Sequence, residues 1–448
     1  MNVKRTLIER LPPSVKRVLA IPYDWQQTRA ADRAFAQKEL PPAERDPDAP
    51  AHIVCLVVDA LRADHVDAQL TPFLASLNGT DAITPSTWTF PAMSSFVTGV
   101  YPHEHGAMKQ SDEPDDSSGL SLPPRMAEDR TTLTETLAGA GYETYGGFGH
   151  DTPFVALSGR FETHELYHSI TANADDVLSD HVNWLAGRER TFSLVHLADP
   201  HVPVDPPTAY WESHEVDRSI EAIENWRYGT ETECADDCRR YREHRRRLYR
   251  AAIDYVDDAI ERYVARLDET IDEDYALLVT ADHGEALWEH VDFDVTHFDG
   301  TGCVDHGGAP YDELARVPLL TNRQWEVDAP VSLVDVAPTI LDSVGVTGPH
   351  MSGVSLRGDA PAERRLLVEG SLSGYEKKAV YDGGAKLVAS RGNDVEVVLD
   401  SNTDEPIDVS EDRLESMRES LPPWPDGGEN QTEVPEVVED RLAQLGYR

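Results

Sequence analysis

Ile53-Val54-Cys55-Leu56-Val57-Val58-Asp59 is an unbroken apolar run that ends in an acid. A second run far downstream ends the same way, Ala276-Leu277-Leu278-Val279-Thr280-Ala281-Asp282-His283-Gly284-Glu285. Because neither run alternates with polar residues, both read as strands buried on two faces, the habit of a parallel sheet. Open sheets of that kind place ligands outside the carboxyl ends of their strands. Asp59, Asp282 and His283 are therefore expected at one sheet edge. Between the two runs lies Ser86-Thr87-Trp88-Thr89-Phe90-Pro91-Ala92-Met93-Ser94-Ser95-Phe96-Val97-Thr98-Gly99, continuing to Tyr101-Pro102-His103-Glu104-His105-Gly106. It supplies a hydroxyl, Thr89, as a candidate nucleophile held against a metal ion.

Working outward, strand and helix patterns alternate. Strands are expected at Tyr142–Phe148, Thr191–Leu197 and Arg316–Leu320. Helices are expected near Thr71-Pro72 and at Thr132–Ala140, Asp175–Ala186, Tyr249–Leu267 and Leu333–Val344. From about Met351 the pattern turns to short strands. The fold class that follows is α/β, a mainly parallel sheet flanked by helices, with a small C-terminal antiparallel α+β subdomain. The expected divisions are an arm and linker over 1–50, the main domain over 51–350, the small-sheet subdomain over 351–419, and a linker with a closing helix over 420–448. Ser111–Ser121 reads as a polar, acidic loop.

Composition narrows the partners. The chain has 448 residues and a formal net charge of −42, from 40 basic and 82 acidic residues. Such a balance argues against nucleic acid, whose phosphates require Lys and Arg. Disorder is opposed by an apolar content of 40% arranged in strand patterns. Only seven lysines are present. Acid excess with scarce Lys resembles the proteins of salt-accumulating halophiles, archaeal ones among them. Of the four cysteines, Cys55 sits in an apolar strand, and Cys234 and Cys238 either pair or contribute to a metal site. No apolar run reaches a membrane span and no secretory leader is evident, so a cytoplasmic protein is expected. Residues 1–20 carry an interrupted, locally basic helix pattern, a candidate for peripheral membrane contact. Arg239–Arg250 is a dense Arg run, read chiefly as a solvated helix face and secondarily as a cradle for an anionic substrate.

Asp59, Thr89, Asp282 and His283 offer oxygen and nitrogen ligands suited to a divalent ion such as Zn or Mn. A metal beside Thr89 would activate its hydroxyl for displacement at phosphorus or sulfur. His201 and His306, both at strand-end positions, are the candidate acid/base groups, with His105 behind them.

The joint order of these blocks resembles the sulfatase-like branch of the alkaline phosphatase superfamily. The resemblance runs through Ile53–Asp64, Thr89–Gly106, His196–Pro203, Tyr249–Ile260, Thr280–Glu285, Tyr311–Leu320 and Val331–Thr339. It implies a sulfatase-like catalytic domain and a divalent metal ion (Zn, Mn or Ca) on Asp59, Thr89, Asp282 and His283. By chain order, a second site would draw on Asp199, His201 and His306; one metal is the preferred reading. The departures are specific. Sulfatases convert a Cys or Ser in Cys-x-Pro-x-Arg to formylglycine, and here Thr89-Phe90-Pro91-Ala92-Met93 stands in its place. Thr cannot become formylglycine, so none is expected. The second adjacent aspartate of the family is Ala60, and the lysine expected after Tyr142 is missing from Gly146-Gly147-Phe148-Gly149-His150. Thr at this place resembles the phosphodiesterase and phosphoethanolamine-transferase members, in which it is the covalent nucleophile. The expected function is metal-dependent hydrolysis of a phosphate or sulfate ester, on a small molecule or glycan, through Thr89. Transfer of a phospho group to a glycan or lipid, and a non-catalytic binding role on the same fold, are the alternatives.

Overall fold

The structure is a computed structural model and describes residues 13–108, 122–167, 172–231, 234–298, 304–324, 327–358, 360–372 and 374–424. Residues 1–12 of the proposed membrane-contact segment 1–20, the Ser111–Ser121 loop and the closing helix lie outside the described residues. A helix Pro13–Phe35 follows directly from the Pro pair.

The main sheet has seven strands: β1 (His52–Val58), β2 (Asn78–Ile83), β3 (Glu143–Phe148), β4 (Thr163–Leu166), β5 (Thr191–Leu197), β6 (Tyr275–Thr280) and β9 (Arg316–Thr321), in the order β2-β9-β6-β1-β5-β3-β4. β1 lies at the centre, parallel to β5 and β6. Every residue of β1 and β5 is buried, and the Ile53–Val58 run of β1 is accordingly apolar without alternation. β9 runs antiparallel to β6 and β2. A two-residue pair, β7 (Ala286–Leu287) with β8 (Val304–Asp305), follows the β6 edge. The C-terminal sheet is antiparallel: β10 (Leu366–Val368), β11 (Lys377–Asp382), β12 (Ala385–Ser390) and β13 (Val395–Asp400). The expected α/β class with a small antiparallel tail is what the chain adopts.

Local sequence explains several boundaries. Thr132 and Glu135 form a capping box that opens the helix Leu133–Gly139, and Asn173 with Asp176 opens Ala174–Leu185. Near Thr71-Pro72 the expected helix shrinks to a single 3-10 turn, Leu74–Ser76. There the Asp257 carboxylate accepts from the Phe73 and Leu74 N–H groups and caps the turn, which closes with the Leu77 N–H donating to the Leu74 carbonyl. The helix expected from Tyr249 starts at Asp236 and runs 35 residues to Thr270. Its buried positions Cys238, Tyr241, Arg245, Leu248, Tyr249 and Ala252 follow helical spacing through the Arg run. Cys234 and Cys238 pair as a disulfide at its start, and Cys55 is a buried free thiol. No described helix is long and apolar enough to cross a membrane.

Candidate active site

Three chain segments deliver the site. β1 ends at Asp59, whose N–H donates to the Leu197 carbonyl on neighbouring β5. The next residue, Ala60, has φ 61, a left-handed conformation that costs an L-residue energy and turns the chain sharply off the sheet. The turn is held from outside: the Tyr249 hydroxyl donates to the Ala60 carbonyl at 2.5 Å and accepts from the Arg62 N–H. β6 delivers Asp282 and His283. Gly284 follows because any Cβ there would lie 1.9 Å from the Glu313 carbonyl oxygen.

The third segment is the helix Thr89–Thr98, entirely buried, which begins at Thr89 and ends at Gly99 in the left-handed conformation. Trp88 fixes its start by donating from Nε1 to the Gly370 carbonyl at 2.6 Å. Thr89 therefore sits in the first turn, where backbone N–H groups and the helix dipole favour negative charge.

Thr89 Oγ1 lies 3.2 Å from His283 Nε2. His283 Nδ1 is 2.8 Å from the Gly284 carbonyl, which only accepts, so Nδ1 carries the proton and the Nε2 lone pair faces Thr89. His283 Nε2 is also 3.4 Å from Asp59 Oδ1 and 3.6 Å from Asp282 Oδ2. His196 completes the group, with Nε2 3.4 Å from Asp59 Oδ2 and 3.6 Å from Asp282 Oδ2. Asp59, Thr89, His196 and His283 have no exposure and Asp282 has 1%.

Two buried carboxylates converge here. Burial pushes the Asp59 carboxyl up, but His201, the hydrogen bond from His150 and the field of His196 hold it well below the usual carboxylate range. Burial and Asp59 push Asp282 up, yet His283 and His196 bring it below its ordinary value. Asp59 Oδ1, Asp282 Oδ2 and both ring nitrogens of His196 make no hydrogen bond. Asp59 Oδ2 and Asp282 Oδ1 do accept hydrogen bonds, but a buried ionised carboxylate with its other oxygen left unpartnered is disfavoured unless a cation joins it. Ligand atoms of Asp59, His196 and Asp282 all lie within 4.8 Å of one another. This oxygen and nitrogen set fits a divalent ion.

A ring of histidines surrounds the group. His150 stacks on His201 with centroids 5.1 Å apart, His201 meets His306 at 4.9 Å, and His306 stacks on His283 at 4.5 Å. His150 Nδ1 accepts from the Thr152 N–H, so its Nε2 carries the proton and donates to Asp59 Oδ2 at 2.7 Å. His150 thereby orients Asp59, as outer-shell groups do for metal-ligating carboxylates. His201 gives its Nδ1 proton to the Val202 carbonyl. His306 Nδ1 lies 2.8 Å from Asp305 Oδ1 and 3.5 Å from Glu285 Oε1.

Of the residues read from sequence, the structure brings together Asp59, Thr89, Asp282 and His283, with His201 and His306 beside them. Asp199 is placed elsewhere: its Oδ1 accepts from the Ala174 N–H at the start of the helix Ala174–Leu185. His105 is engaged with Ser95 Oγ at 2.9 Å and with the Ala107 N–H. Sequence reasoning did not single out His196 or His150. A histidine inside the fully buried strand β5, at the register of Val57 on β1, was a legible signal; His150, just past β3, was not.

The fold and this strand-end constellation define a sulfatase-like member of the alkaline phosphatase superfamily. The sequence model of the Sulfatase family matches residues 51–346, more than half of the chain, and the chain belongs to that family. A protein of Escherichia coli (strain K12) named "Uncharacterized sulfatase YidJ" is 26% identical over 212 residues, which is 42% of this chain and 38% of the relative. The match thus spans well under half of that relative's length. Among solved structures, BT4656 in complex with its substrate D-glucosamine-2-N,6-O-disulfate superimposes with a TM-score of 0.65 at 15% identity, over 89% of this chain and 98% of that one. The phosphonate monoester hydrolase SpPMH from Silicibacter pomeroyi gives a TM-score of 0.59 at 17% identity, over 82% and 93%. At these identities the structural likeness establishes the fold.

Proposed function

We propose that the protein is a metal-dependent esterase that cleaves a phosphate or sulfate ester through a covalent Thr89 intermediate. The observation that carries this reading is the Thr89 hydroxyl 3.2 Å from His283 Nε2, the nitrogen that also lies 3.4 Å from Asp59 Oδ1 and 3.6 Å from Asp282 Oδ2. Asp59, His196, Asp282 and His283, with Thr89, are the residues that would hold the ion. A divalent ion bound there would favour ionisation of the Thr89 hydroxyl and offset charge on the ester.

The chain's own residues supply the remaining parts. Thr89 Oγ1 forms the new bond to phosphorus or sulfur while the ester oxygen leaves. The first turn of its helix stabilises charge building on the non-bridging oxygens. His306 is the general acid for the leaving oxygen, its ring held by Asp305 Oδ1 at 2.8 Å and Glu285 Oε1 at 3.5 Å from Nδ1. His201, with Nδ1–H committed to Val202, presents Nε2 as an acceptor for the water that later releases Thr89. His150 keeps the Asp59 carboxylate in place. A glycan or small-molecule ester is the substrate class, in keeping with a fold neighbour bound to a disulfated glucosamine.

The test is metal content together with turnover of nitrophenyl phosphate, bis-nitrophenyl phosphate and nitrophenyl sulfate, in high salt, for wild type and Thr89→Ala. The proposal expects metal in both proteins and one ester cleaved by wild type alone. Turnover that survives in Thr89→Ala would overturn the covalent step, and absence of bound metal would overturn the site.

A further inference from the structure

Arg245 occupies an inward position of the helix Asp236–Thr270, on the stripe shared with Cys238, Tyr241, Leu248 and Tyr249. It has no exposure. Its Nε, Nη1 and Nη2 are each buried without a hydrogen-bond partner. Its neighbours on the Arg run differ: Arg242 donates to the Gly229 and Glu231 carbonyls, and Arg246 to the Leu287 carbonyl. What covers Arg245 is the Trp226 ring, 4.4 Å from its Cζ. Trp226 Nε1 is itself a buried donor without an acceptor. A guanidinium buried without acceptors is costly, and five N–H donors in a fixed fork match a small anion or an anionic group.

The location ties this donor set to the reaction centre. Arg245 lies within electrostatic reach of Glu285 and Asp305, yet pairs with neither. Glu285 Oε1 is 3.5 Å from His306, His306 stacks on His283 at 4.5 Å, and His283 meets Thr89 at 3.2 Å. The covering segment is fastened to the loop after His283, since Trp288 Nε1 donates to the Tyr228 and Gly229 carbonyls. We propose that Arg245, with Trp226 Nε1, forms an anion-binding subsite in the wall beside the Thr89 centre. Its ligand is a small anion, taken from solution as a halide or carried by the substrate as a second anionic group. The substrate source rests on the proposed ester chemistry; the solution source does not.

The experiment has two arms. In the first, bromide is titrated at constant ionic strength, balanced with potassium glutamate, into metal-loaded wild type and Thr89→Ala, and tryptophan emission is read. Saturable quenching is expected in both, retained but weakened in Arg245→Lys and lost in Arg245→Met. In the second, KM is compared for an aryl ester bearing an extra carboxylate and for its uncharged counterpart. If the substrate carries the anion, Arg245→Met raises KM for the first by about tenfold and leaves the second unchanged. If the ion comes from solution, the bromide response depends on Arg245 and the KM ratio does not move. Quenching that is purely linear in wild type, or saturable and unaltered in Arg245→Met, overturns the proposal. Should Arg245→Met fail to fold, the wild-type titration and Arg245→Lys still decide it, because an Arg245 subsite requires saturation in the first and weakening in the second.

Discussion

The Thr89 hydroxyl and the His283 Nε2 lone pair face each other at 3.2 Å although 194 positions separate them in the chain. The contact joins the first turn of a buried helix to the end of β6, and Asp59 at the end of β1 lies 3.4 Å from the same imidazole nitrogen. From this geometry Thr89→Ala is expected to lower kcat by at least about 10³-fold while metal content stays near that of wild type, because Asp59, His196, Asp282 and His283 remain. Steady-state kinetics alongside metal analysis checks both halves. A comparable loss of metal would assign Thr89 to the ligand set alone.

His150 acts through Asp59. With Nδ1 accepting from Thr152 and Nε2 donating to Asp59, His150→Leu is expected to weaken metal affinity by about 10–100-fold. His150→Gln places an amide N–H near the Nε2 position and should recover most of it. Competition titration against a chelator reads the affinities directly. Equal weakening in both variants would mean that the ring matters for packing and not for its proton.

Asp199 separates helix anchoring from metal binding. Its carboxylate accepts from Ala174 N–H, so Asp199→Ala, which takes away that acceptor, should cost about 1–3 kcal/mol of stability with metal stoichiometry unchanged. Denaturant unfolding and metal analysis test this together, and a lost metal ion would place Asp199 among the ligands.

Acid should destabilise the fold through histidines buried in the neutral form. Burial lowers His181 from 6.5 to about 3, and its Nδ1 shares a 2.7 Å hydrogen bond with the Tyr263 hydroxyl. Burial, then Arg130, lowers His105 from 6.5 to about 3 as well. Above pH 6.5 these groups are neutral folded and unfolded, and their full stability contribution is present. Between pH 6.5 and about 3 the unfolded chain binds protons that the folded chain refuses, so stability falls as pH falls, by about 1.4 kcal/mol per unit for each group. Unfolding midpoints measured from pH 7 to 4 should decline less steeply in His181→Phe than in wild type. Parallel declines would show that His181 takes up its proton in the folded state.

Much of this was legible in sequence because strands buried on both faces cannot hide: β1 and β6 carry the apolar runs Ile53–Val58 and Ala276–Val279, and the acids that follow them fall at one edge. The edge strands were less readable. β2 is Asn78–Ile83, with its first four residues exposed or half-buried, and β4 has four residues of mixed burial; neither carries an apolar run. The Arg run misled in a different way. Its charge suggests a solvated face, which Arg239 and Arg240 provide, while Cys238, Tyr241 and Arg245 face inward on the same turns. A guanidinium on the apolar stripe leaves no trace in hydropathy. His150 was unreadable for a further reason: its role depends on which ring nitrogen the Thr152 N–H occupies, and that is set by the turn after β3.

The central claim is a covalent bond to Thr89, and trapping it is the most direct measurement. Metal-loaded protein is mixed with a turned-over phosphate or sulfate ester, quenched in acid within the first turnover, digested and weighed by mass spectrometry. The account predicts a phosphoryl or sulfuryl increment on the peptide carrying Thr89, localised to that residue and absent from Thr89→Ala. Product released in a burst with no modified Thr89 peptide, or the increment found on another side chain, would contradict it.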